Sequence, residues 1–104
     1  MKRSDVNKNK AEKWENPDTE KLFQAILSLK NMNESKAFFR DLLTEPEIAE
    51  FAQRWRVARL LDQGVSYAEI GRQTWMSSKT IARIQKWLKG GKGGYRLMLN
   101  RIRT

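Results

Sequence analysis

Three observations predict an all-α fold of about six helices. Apolar residues recur at three-to-four spacing from Leu22 to Ile102, the segments start at recognisable N-caps and stop at turn residues, and no stretch alternates in the manner of a strand. At 104 residues the chain can build one modest core and not two. From Met1 to about Asn16 the composition is polar and charged, and Val6, Ala11 and Trp14 are too sparse to define a face. Residues 1–17 therefore read as an arm, flexible or partly helical, and residues 18–104 as the folded domain.

Asp18 can cap the first helix, whose stripe is Leu22, Phe23, Ile26, Leu27 and Leu29, and a turn at Asn31-Met32-Asn33 ends it. A short second helix from Asn33 or Glu34 carries Phe38, Phe39, Leu42 and Leu43. Two adjacent phenylalanines and two leucines exceed what a short surface helix needs, so something else must cover them. Thr44-Glu45-Pro46-Glu47 is a capping box with proline in the first turn, and Leu43 and Ile48 flank it as a staple. The longest helix follows through about Gln63, and Gly64 suits the left-handed residue that stops it. Ser66-Tyr67-Ala68-Glu69 repeats the box, with Val65 and Ile70 as staple, and opens a helix ending at Gln73 or Thr74. A turn through Trp75 and Met76 leads to the N-cap candidate Ser77 and a helix over 79–88, with Ile81, Ile84, Trp87 and Leu88 facing inward. Gly90-Gly91-Lys92-Gly93-Gly94 reads as a flexible connector, and Tyr95–Ile102 as the last amphipathic helix.

Lys and Arg number 21 against 12 Asp and Glu, a net charge of +9. The first 20 residues are neutral, residues 21–50 carry −1, and residues 51–104 carry +10. A solvated basic face has no reason to be segregated in this way, so the pattern points to a polyanionic partner, nucleic acid first. Cys and His are absent, which removes disulfides, Cys/His metal sites, thiol nucleophiles and imidazole catalysis, and no enzyme is expected. No apolar run approaches the ~18–20 residues of a membrane span and the N-terminus lacks an apolar signal segment, so no membrane partner is expected and the expected location is the cytoplasm, on the nucleoid when bound.

A short helix, a three-to-four-residue turn and a second helix between residues 66 and 88 form a helix-turn-helix unit. Gly71 supplies the small residue where the helices approach, and Ile70, Met76, Ile81 and Ile84 lock the angle. The turn often carries glycine where this chain has Trp75. The second helix of such a unit enters the major groove N-terminus first, which nominates Ser78, Lys79 and Ala82 for base edges, with Thr80 for base or phosphate. Arg72, Arg83, Lys86, Lys89 and Lys92 are placed to neutralise phosphates of double-stranded DNA. Arm residues Lys2, Arg3, Lys8, Lys10 and Lys13 sit among acidic neighbours that cancel their charge. The run 90–94 lacks the spacing of a phosphate-binding loop, and Asp41, Glu45, Glu47 and Glu50 read as macrodipole partners instead of a catalytic pair.

The stretch LLTEPEIAEFAQRWRVARLLDQGVSYAEIGRQTWMSSKTIARIQKWLKGG resembles the Trp repressor family in order and register, over about residues 22–102. The continuation GGKGGYRLML resembles its YerC/YecD-like branch. The resemblance implies an intertwined homodimer whose interface would use Leu22, Phe23, Ile26, Phe38, Phe39, Leu42 and Leu43, and a two-fold operator with half-sites about 34 Å apart. Tryptophan-responsive members hold their ligand at positions matching Thr44, Arg54 and Arg83. Two other wall positions differ: a glycine is replaced by Ile84, and the serine that meets the ligand's amino group by Trp87. These bulky residues are expected to fill the pocket, although Trp87 could equally be a plain core residue. The expected protein is a sequence-specific transcriptional regulator, a repressor, that binds DNA without tryptophan or any cofactor. Two alternatives stay open: a recognition module within a recombinase or transposase assembly, and a ligand-responsive repressor using a pocket near Arg54 and Arg83.

Overall fold

The computed structural model describes residues 12–102, and among them the chain is all-helical: α1 Pro17–Leu27, α2 Met32–Leu42, α3 Glu45–Asp62, α4 Tyr67–Thr74, α5 Ser78–Gly90 and α6 Gly94–Ile102. The expected arm lies largely outside the described residues. Two compact units divide the chain after Ala49, inside α3.

In the N-terminal unit the cap of α1 is Asn16 and not Asp18. Its side chain accepts from the Thr19 amide at 2.9 Å while the Thr19 hydroxyl accepts from the Asn16 amide at 2.9 Å. Pro17 follows in the first turn, and Asp18 and Glu20 face the positive end of the helix dipole. The helix ends at Leu27, leaving Leu29 outside it, because Ser28 turns back and bonds Ala25 and Ile26. Asn31 caps α2 through the Glu34 amide at 2.9 Å, so α2 starts one or two residues earlier than the spacing suggested. The Thr44 box is complete: the Thr44 amide donates to Glu47 at 2.9 Å and the Glu47 amide to the Thr44 hydroxyl at 3.2 Å. These bonds to Thr44 hold the Glu47 carboxyl below the usual glutamate range. The indole of Trp14 meets Phe23 edge-on at 6.1 Å, a contact that the sparse spacing of the arm concealed. Neither α1 nor α2 has a buried residue.

The C-terminal unit holds the core. Val57 and Ala58 of α3, Ile70 of α4 and Ile81 and Ile84 of α5 are buried together, with Trp55, Leu60, Leu61, Val65, Met76 and Tyr95 packed around them. Gly64 takes a φ of 83° and ends α3, as its position predicted. In α6 only Leu99 is buried. The glycine run is a built turn instead of a loose connector. Gly91 caps α5 through the Trp87 carbonyl at 2.9 Å, and a Cβ there would lie 2.6 Å from that oxygen. Gly93 follows at a φ of 86° and accepts from the Leu97 amide in the first turn of α6. Arg96 of α6 donates to Asp62 at the end of α3 at 2.8 Å, which fixes the last helix against the longest.

Candidate nucleic-acid interface

The α4 and α5 helices form the expected helix-turn-helix, packed over Ile70, Ile81 and Ile84. Ser66 caps α4 through the Glu69 amide at 3.2 Å, but the box is only half made. The Glu69 carboxylate is taken instead by Arg72 and by the Gln73 amide, at 2.8 Å for the latter, and these bonds hold its carboxyl below the usual range. Gly71 is less demanding than the sequence implied. A Cβ there would touch the Met76 carbonyl at 3.5 Å, an ordinary contact.

Trp75 occupies the turn in the left-handed region, with φ 65° and ψ 9°, a conformation that disfavours a residue with a Cβ by about 1 kcal/mol. The turn is fastened from within. Thr74 is buried and its hydroxyl donates to the Ile70 carbonyl at 2.7 Å, the Met76 amide donates to the Thr74 hydroxyl at 3.3 Å, and the Trp75 amide donates to the Gly71 carbonyl at 3.0 Å. The Trp75 side chain gains nothing from this, being 92% exposed.

On α5 the buried stripe is Ile81, Ile84 and Leu88, and Lys79, Ala82, Arg83 and Lys86 are exposed on the other side, about one turn apart. Ser78 opens the helix beside the N-cap Ser77, whose side chain accepts from the Thr80 amide at 3.1 Å. Lys89 and Lys92 are exposed further along the chain. Lys79, Arg83, Lys86 and Lys89 enter no ion pair with the described residues. Two of the nominated residues already have a local partner. Arg72 is held by Glu69, and the Thr80 hydroxyl is bonded to Ser77 at 3.1 Å.

Thr80 instead lines a cleft of about 200 Å³ with Glu50, Arg54, Arg83, Ile84, Trp87 and Tyr95. The cleft thus joins Arg54 and Arg83, while Thr44 belongs to the N-terminal unit, where it caps α3. Trp87 is 50% exposed and forms a wall of this cleft, not the inward core position expected of it, because Ile84 and Leu88 take the buried stripe. Arg54 is paired with Glu50 at 2.7 Å, an i,i+4 spacing readable from the sequence. Arg56 gave no such signal. It donates to the Gln73 carbonyl at 3.3 Å and side chain at 3.1 Å, seventeen residues away, and ties the end of α4 to α3.

Fold and site define an all-helical helix-turn-helix protein with a cationic second helix. Residues 18–103 match the family model described as Trp repressor protein, and the chain belongs to the Trp repressor family, one of DNA-binding regulators and not of enzymes. It is 39% identical over 92 residues to the uncharacterized protein YerC of Bacillus subtilis, 88% of each chain. A TrpR-like protein from Eubacterium eligens has a structure similar to this one at a TM-score of 0.82 and 39% identity, over 86% of this chain and 93% of that one. A candidate Trp repressor from Staphylococcus aureus is similar at 0.81 and 37%, over 88% and 91%.

Proposed function

We propose that the protein is a sequence-specific transcriptional repressor that binds a two-fold DNA operator as a homodimer and needs no tryptophan to do so. The observation that carries the reading is the α5 stripe. Its cations Lys79, Arg83, Lys86 and Lys89 form no ion pair among the described residues, and a duplex supplies anions at the spacing a groove-bound helix can reach. Ser78, Lys79 and Ala82 would meet base edges, and Arg83, Lys86, Lys89 and Lys92 phosphates. Dimerisation is supported by Leu22, Phe23, Ile26, Phe38, Phe39, Leu42 and Leu43, none of which is buried within one chain.

Independence from tryptophan is supported by the cleft. About 200 Å³ is below the ~300–1,000 Å³ of ordinary ligand pockets, two of its walls are Ile84 and Trp87, and Arg54 already holds a carboxylate. Selection of ligand-free protein on a random DNA library at near-physiological salt, with and without L-tryptophan, tests partner, symmetry and ligand together. The expected result is one inverted repeat enriched in both arms. Enrichment only with tryptophan would return the cleft to a ligand, and enrichment in neither would end the operator reading.

A further inference from the structure

Trp75 is at odds with its surroundings. The turn between α4 and α5 is closed by Thr74 and Gly71, neither of which needs an indole, and the position adopts a φ of 65° that glycine or asparagine would take with less strain. A large apolar side chain in a strained backbone conformation, 92% exposed and without an aromatic contact among the described residues, contributes nothing to the fold of the chain that bears it. Strain of this kind, held in place by a fastened turn, marks sites where a side chain is presented to something else.

The surroundings of the ring indicate what that is. Trp75 lies two residues before Ser77, the N-cap of α5, and the first turn of α5 carries no acidic side chain, only Lys79. This is the end of the helix that leads into the groove, so a ring fixed there reaches the strand flanking the contacted bases. A protein surface could accept an indole equally well, but the cations Lys79 and Arg83 on α5, which form no ion pair among the described residues, favour an anionic partner. We infer that the Trp75 indole is a DNA-contacting group, packing on the deoxyribose-phosphate edge of the groove that α5 enters. The inference rests on the DNA-binding reading proposed above.

Trp75→Gly and Trp75→Asn both suit the left-handed backbone, so each is expected to fold with an unchanged or raised Tm, a gain of up to about 4 °C. Both are expected to weaken binding to the selected operator and to unrelated duplex alike, by about tenfold, with the salt dependence unchanged because no charge is removed. Lys89→Ala, at a position assigned to phosphate, is by contrast expected to reduce the salt dependence. In protein labelled with 5-fluorotryptophan, the resonance lost in Trp75→Phe identifies the ring, and its H2O/D2O solvent shift is expected to fall on adding duplex. Unchanged affinity in both variants, or an unshifted resonance in the complex, would overturn the inference. A shift that follows protein concentration without DNA would overturn it in favour of a protein contact. If the wild type binds no duplex, the DNA-binding reading and this inference fall together; if it binds and the variants match it, only this inference falls.

Discussion

The two units of this small chain solve the problem of burial in opposite ways. Residues 50–102 surround Val57, Ala58, Ile70, Ile81 and Ile84 with their own side chains, whereas residues 12–49 form two well-capped helices with no buried residue at all. Capping and local hydrogen bonding are equally good in both, so local signals define the helices but not what they pack on. Phe23, Leu27, Met32 and Leu42 remain exposed in a single chain, which is the expected state of a surface completed by a second copy.

Ile70→Ala attacks the self-sufficient unit directly. It is expected to cost about 3 kcal/mol, read as a lower denaturation midpoint at every protein concentration. Leu42→Ser makes the contrasting test. At 49% exposed, Leu42 should matter little to an isolated chain, yet covered by a partner it should weaken dimerisation by about thirtyfold, or 2 kcal/mol, in sedimentation equilibrium. A monomeric wild type, or a variant with unaltered association, would show that the N-terminal unit is not a shared core.

The same contrast explains what could be read from the sequence. Helix number, the Thr44 box, the Gly64 stop and the helix-turn-helix were legible because each depends on residues within a few positions of one another. Asn16 was passed over for Asp18 because both are good caps, and only the Thr19 reciprocity separates them. The Arg56 bonds to Gln73 and the exposure of Trp87 could not be read, since they depend on how α3, α4 and α5 meet. The Glu69–Arg72 pair, three residues apart on α4, is by contrast a local contact of the kind the sequence does show, and it leaves the Arg72 side chain at the surface.

Smaller effects separate what holds the C-terminal unit from what it presents. Gly91→Ala sets a Cβ against the Trp87 carbonyl and ring and is expected to cost about 2 kcal/mol by thermal melting, with the Trp87 fluorescence altered. Lys86→Ala should leave the Tm within a degree and lower the slope of log affinity against log salt by about 1, the signature of one lost phosphate contact. The smallest effect is electrostatic. The depressed Glu69 carboxyl contributes stability that is present above the ordinary glutamate range and is lost as pH falls through its lower folded value. Glu69→Gln should therefore flatten the acid limb of a Tm-against-pH curve while leaving neutral pH nearly unchanged, a modest difference because the pair with Arg72 lies at the surface, where solvent screens it.

The Arg56 bonds to Gln73 also bear on how far any effector could act. An effector that works by orienting a reading head can raise affinity only by as much as the competent fraction of free molecules falls short of one. Two hydrogen bonds fasten the end of α4 to α3, and under the proposed reading they would raise that fraction and reduce what a ligand could add. Arg56→Leu is expected to lower it, so that occupancy of the proposed operator would come to depend on a smaller population of correctly oriented heads.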